Sequence, residues 1–216
     1  MTRKIIVLAL TLLASYSWAQ DGDKGDKKSN AILEVLTAKT EAYHSIRVEF
    51  TYKMENTEAG IDESTRGTLL VMGDKYKLSI SGQEVYCDGE TLWTYIADAE
   101  EVQVNSMEDS EESISPNKLL TSYSDDYRSK FIREDFIYGT TANIIDLTPL
   151  EGKSYYKVRL IIDKEKDQLL EFTIFDNNGS TYSYVINKFE PNVPVTDDMF
   201  TFNVKDHPGV DVIDMR

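Results

Sequence analysis

The chain has 216 residues, with 38 acidic side chains against 23 basic ones, a net charge of −15 and one cysteine, Cys87. So acidic a surface repels nucleic-acid phosphates and anionic lipid headgroups, which excludes a nucleic-acid partner and favours a dispersed monomer. A lone cysteine excludes an intramolecular disulfide, so the fold must be held by its core, and the length suits one domain.

The first residues carry the signature of export. Arg3 and Lys4 precede an apolar run over 5–14 that is too short to span a bilayer, and Ser17-Trp18-Ala19 offers small residues at a cleavage site. Residues 1–19 are expected to be a signal peptide cut after Ala19, with 20–29 a flexible leader and 30–216 the folded domain. Asp21, Asp23 and Asp26 in the leader suggest a calcium loop, but the twelfth position holds Ile32 where that loop needs a glutamate, so no metal is expected.

Ser29 or Asn30 is the expected cap of a helix reaching to about His44, with Ile32, Leu33, Leu36 and Tyr43 along one side. The period then changes to two. Ile46, Val48, Phe50, Tyr52 and Met54 alternate with Arg47, Glu49, Thr51, Lys53 and Glu55, the pattern of a half-buried strand. Further strands are expected over 66–72, 75–81, 84–87, 91–97 and 101–105, with Gly73-Asp74 and Asp88-Gly89 as turns. Ser115-Pro116 opens a short second helix carrying Leu119 and Leu120. Strands resume over 127–134, 142–148, 155–163, 168–176 and 181–189, and the tail from Phe200 is expected to form a final short strand, a Pro208-Gly209 turn and an extended end.

Some ten or eleven strands on short connections must run antiparallel. A mainly β fold follows: a single large, twisted sheet curled into an unclosed half-barrel, its concave apolar face covered by the two helices. The residues expected to line that face are Val48, Phe50, Tyr52, Leu69, Val71, Tyr76, Leu78, Ile80, Trp93 and Tyr95 from the first part of the chain. Val158, Leu160, Ile162, Leu170, Phe172, Ile174, Tyr182, Tyr184 and Ile186 come from the second. Taken singly, each reads as core. Taken together they exceed what two helices can cover, and the remaining volume suits a hydrocarbon ligand. Ile32, Leu33, Leu36, Leu119 and Leu120 are the expected lid contacts.

Enzymatic machinery is missing from the pattern. His44 and His207 have no metal-ligand spacing, and neither a phosphate loop, a GxSxG elbow nor an HExxH motif occurs. No catalytic residue, cofactor or metal is therefore expected.

Several segments, in order, resemble the LolA-type outer-membrane lipoprotein carriers, of the kind found in Bacteroidetes. They are the IRVEFTYKME strand, Gly67-Thr68-Leu69, Gly73-Asp74-Lys75-Tyr76-Lys77-Leu78, Asp88-Gly89-Glu90-Thr91-Leu92-Trp93-Thr94-Tyr95, Ile114-Ser115-Pro116, and the Phe200-Thr201-Phe202 and Pro208-Gly209-Val210 ending. The resemblance implies a periplasmic half-barrel that receives acylated lipoproteins from an inner-membrane ABC-type releasing complex and passes them to an outer-membrane acceptor. It also implies a departure: many members carry an Arg-Pro pair, which locks the lid, where this chain has Gly73-Asp74. A lipid-sensing or regulatory binding module of the same fold is the alternative, and an enzyme or a purely structural β-protein is a third.

Overall fold

The computed structural model describes residues 26–107 and 126–216. The expected signal peptide and the short helix with Leu119 and Leu120 lie outside them. One helix, α1 (Lys27–Glu41), precedes twelve strands. These are β1 (Ile46–Asn56), β2 (Ile61–Met72), β3 (Lys75–Ile80), β4 (Gln83–Cys87), β5 (Thr91–Ile96), β6 (Glu101–Ser106), β7 (Tyr127–Ile137), β8 (Thr140–Pro149), β9 (Tyr155–Asp163), β10 (Gln168–Asp176), β11 (Thr181–Pro191) and β12 (Asp211–Asp214).

All twelve belong to one sheet, ordered β12-β6-β5-β4-β3-β2-β1-β11-β10-β9-β8-β7. Two meanders, β1 to β6 and β7 to β11, are sewn together where β1 pairs antiparallel with β11. The sheet does not close, and the result is the expected half-barrel. Bulges at the Glu49/Phe50, Phe131/Arg133 and Leu169/Glu171 steps bend individual strands and add twist, which lets so wide a sheet curl.

Several expectations need correction. Asp26, not Ser29 or Asn30, caps α1, its carboxylate accepting the Ser29 N–H at 2.7 Å. The Ser29 hydroxyl is engaged elsewhere, with the Asp26 carbonyl and the Ser129 hydroxyl. The expected leader therefore loses Asp26–Ser29 to the cap and first turn, and the helix stops at Glu41 rather than His44. The strand count is twelve. Phe200-Thr201-Phe202 forms no strand but a 3-10 turn and its exit, and the terminal β12 runs parallel to β6, an exception to the antiparallel rule.

Cross-strand partners share a face, so the register divides the sheet cleanly. One face carries Val48, Leu69, Leu78 and Val85 in one row and Val71, Tyr76, Cys87 and Leu92 in the next. It continues through Phe50, Ile186, Tyr184, Phe172, Leu160 and Ile145 to the β7 edge. This face holds the main core, and Leu33 and Leu36 of α1 pack into it. The opposite face holds a smaller cluster of Tyr86, Val102 and Phe202.

Candidate functional site

The candidate site is the face of the sheet beneath α1. The helix touches β7 and β10 and so crosses β8 and β9. At its first turn the Phe131 N–H donates to Asp26 Oδ2, the Asp26 N–H donates to the Ser129 carbonyl at 3.1 Å, and the Ser129 hydroxyl donates to Asn30 Oδ1 at 2.6 Å. Burial opposes ionisation of Asp26, yet the Ser29 and Phe131 N–H groups hold its carboxyl below the usual range. Near the other end Lys39 Nζ donates to the Lys166 carbonyl, and just past the helix the Tyr43 ring meets Phe189 edge-on at 5.9 Å. Polar contacts thus hold α1 near its two ends while Leu33 and Leu36 bury themselves between.

Of the residues expected to line the face, Val48, Phe50, Leu69, Val71, Tyr76, Val158, Leu160, Ile162 and Phe172 are buried there. Tyr52, Leu78, Ile80, Ile174, Tyr184, Ile186 and the helix residue Ile32 are half-buried against them, and Tyr182 stacks on Tyr52. The half-buried set contains the apolar surface still open to a ligand.

Phe50 stands at the centre of this face because its neighbour on β2 is Gly67. A Cβ at Gly67 would lie 2.4 Å from the Phe50 ring, so only glycine admits the aromatic there. Around Phe50 gather Tyr184 at 5.8 Å, Phe172 stacked on Tyr184 at 4.4 Å, and Tyr52 at 5.1 Å from Tyr184. Burial, with the neighbouring Tyr52 and Tyr182, pushes the Tyr184 hydroxyl up to about 12, and burial also raises Tyr76 and Tyr52. These phenols stay protonated at any ordinary pH.

Three expected residues lie elsewhere. Trp93 and Tyr95 face the other side of the sheet, with Tyr86 and Val102, under Phe202 and Val210 of the tail. The register carries the reason: Trp93 pairs with Tyr86 and Tyr86 with Lys77, so Trp93 shares a face with Lys77 and opposes Tyr76 and Leu78. The hairpin turn at Asp88-Gly89 and the Tyr76–Leu78–Ile80 alternation contained that signal. Leu170 is the unpaired residue of a bulge, and Leu169, 2% exposed, takes the core position opposite Ile162. Nothing in the sequence marks that bulge.

Other contributors were missed: Ile46, Ile145, Leu147 and the buried thiol of Cys87, which burial keeps protonated and Met107 covers at 3.7 Å. Ile145 and Leu147 were legible by alternation along β8. A cleft of about 830 Å³ opens on the opposite face, lined by Glu49, Arg66, Thr68, Ser79 and Glu84 among others. Phe50, Ile80, Tyr95 and Ala97 line it too, so its charged side chains stand beside apolar ones. Gly73 and Asp74, standing where many carriers have Arg-Pro, are both exposed in the β2–β3 turn, with Gly73 at φ +58°. Among the described residues no group of His, Cys, Asp or Glu side chains could hold a metal ion, and no helix is long and apolar enough to cross a membrane.

Comparison with known proteins agrees with this architecture. An outer-membrane lipoprotein carrier protein from Histophilus somni strain 129Pt is 31% identical over 134 residues, covering 62% of this chain and 61% of its own. A second strain's protein of the same name, from strain 2336, matches to the same extent. The chain thus aligns with about three fifths of the length of these curated relatives. Among solved structures, an uncharacterised conserved protein from Thermus thermophilus superposes with a TM-score of 0.60 over 87% of this chain and 99% of that one, at 10% identity. MucB superposes with a TM-score of 0.50 over 83% of this chain and 64% of that one, at 16% identity. At such identities these two share the fold alone. Residues 41–203 match the family described as "Outer membrane lipoprotein carrier protein LolA", and the chain belongs to that family.

Proposed function

We propose that this protein is a non-enzymatic periplasmic carrier that shields the acyl chains of lipoproteins between the sheet and α1 and moves them from the inner to the outer membrane. The carrying observation is an apolar face continuous from β5 through β1 and β11 to β7, covered in part by a helix held near its two ends by polar contacts. Family membership and the printed name of the 31% relatives support the same reading. The signal-peptide pattern over 1–19 supports export and cleavage after Ala19. An inner-membrane ABC-type releasing complex as donor, an outer-membrane acceptor and a monomeric carrier complete the proposal.

The energetics suit hand-over. Each methylene taken from water contributes about 0.8 kcal/mol, so shielding about a dozen contributes roughly 10 kcal/mol. When the site is empty, Leu33 and Leu36 occupy the same face and compete with the ligand, lowering its net affinity. In this reading α1 is the lid. It replaces the Arg-Pro lock, since Asp26, Ser129 and Lys39 hold the helix without an arginine from the β2–β3 turn.

Native mass spectrometry of protein purified from its own periplasm tests the proposal. Acylated cargo released on activation is the expected result, and protein that is uniformly empty while its donor complex is active would contradict it.

A further inference from the structure

Three tyrosines cluster where the apolar face reaches the ends of β1 and β11. Tyr52 pairs with Tyr184 across that ladder, and Tyr182 follows one step beyond, opposite Met54. The Tyr52 and Tyr182 rings stack at 6.5 Å, and Tyr184 lies 5.1 Å from Tyr52. All three rings are half-buried. None of their hydroxyls has a hydrogen-bond partner among the described residues, and none is sealed from solvent, so each is free to donate to a ligand. Glu63, opposite Met54 on β2, adds a negative charge whose field reaches Tyr52.

A purely hydrocarbon-holding surface would gain more from phenylalanine at each position, because an unpaired hydroxyl gains nothing in an apolar wall. Three donors held together at the border of that wall match acceptors spaced at the root of an acyl chain. Ester carbonyls are such acceptors: uncharged, and attached where the hydrocarbon begins. A phosphate would also accept, but beside Glu63 and a chain of net charge −15 it is disfavoured.

We propose that Tyr52, Tyr182 and Tyr184 form a donor set for the ester carbonyls of a neutral acylglycerol group, selecting it over an anionic phospholipid. This rests on the acyl-carrier reading above. The hydroxyls act as hydrogen-bond donors only, and no bond is made or broken.

The test compares three probes of equal chain length on the full mature chain: 1,2-dioctanoylglycerol, the diether 1,2-dioctylglycerol that lacks carbonyls, and dioctanoyl phosphatidic acid. Wild-type protein should bind the diester about tenfold more tightly than the diether, the worth of one or two neutral hydrogen bonds. The triple variant Tyr52→Phe/Tyr182→Phe/Tyr184→Phe should bind diester and diether alike, at the wild-type diether affinity. Should the triple variant not fold, Tyr52→Phe alone should narrow the preference to about threefold. Glu63→Gln should improve binding of the phosphatidic acid without changing that of the diester. Equal wild-type affinity for diester and diether overturns the proposal, as does a preference that survives the phenylalanine substitutions. Failure of all three probes to bind overturns the carrier reading itself.

Discussion

Gly67 is the residue on which the centre of the apolar face turns. Phe50 reaches the middle of the sheet only because position 67 has no side chain, and the ring in turn covers the glycine backbone. Gly67→Ala places a methyl group inside the ring, and the buried Phe50 has Tyr184 beside it with little room to move. Overpacking of this kind costs about 1–3 kcal/mol. Denaturant unfolding should show that loss, and Phe50→Leu added to Gly67→Ala should recover part of it. If Gly67→Ala is neutral, the close approach of ring and backbone is not a constraint on the fold.

Secondary elements add a second level of control, most plainly in α1. Its cap is the carboxylate of Asp26, whose folded-state pKa lies below the ordinary value. A depressed carboxylate stabilises the folded state above its unfolded pKa and loses that contribution as pH falls through the folded pKa. The tether of α1 to β7 should therefore be complete above about pH 4 and weaken below it. Amide exchange in α1 measured between pH 6 and pH 3 should lose protection earlier than exchange in β1, after correction for intrinsic rates. Asp26→Ala, a cap deletion worth about 1 kcal/mol, should show the same loss already at pH 6. Identical behaviour of helix and sheet in both experiments would remove the tether.

On the same face as Ile145 and Ile162, Asn143 of β8 has its Oδ1 buried with no hydrogen-bond partner. Such a group costs about 1–3 kcal/mol, and the proposed lid action of α1 would relieve it by letting water reach the amide. Asn143→Leu should raise stability and slow exchange in α1, and weaken uptake of an acyl probe. A destabilised Asn143→Leu protein would show instead that the amide is needed where it is.

Much of the sheet was legible because a period of two is written into β1, β3, β9 and β11, and short turns force antiparallel neighbours. The position of α1 was legible from Leu33 and Leu36, whereas its cap was not. Asp26 looked like part of a polar leader because its partners on β7, the Ser129 carbonyl and the Phe131 N–H, lie about a hundred residues away. The same distance effect misassigned Trp93 and Tyr95. Large aromatics in a strand suggest the principal core, and what covers these two is Phe202 and Val210 from the tail, a packing no local pattern announces. Leu170 failed for another reason: the alternation that places Phe172 and Ile174 correctly is broken by one inserted residue, so Leu169 takes the face it gives Leu170, and bulges leave no fixed mark in sequence.

For the whole molecule, the sheet is two-sided, and the two sides differ in kind. One is continuous, apolar and partly covered by α1; the other is divided between a small aromatic cluster under the tail and a cleft that mixes charged and apolar side chains. An acidic exterior disfavours contact with anionic membrane surfaces, which in the proposed function favours exchange of cargo between proteins. The central claim is that hydrocarbon enters on the α1 side. A diazirine-bearing fatty acid, bound to the full mature chain, irradiated and mapped by mass spectrometry, tests this most directly. Labels on α1 and on the β1, β10 and β11 residues around Phe50, Phe172 and Tyr184 are expected. Labels confined to Trp93, Tyr95 and Phe202, or to the cleft beside Arg66, would contradict it.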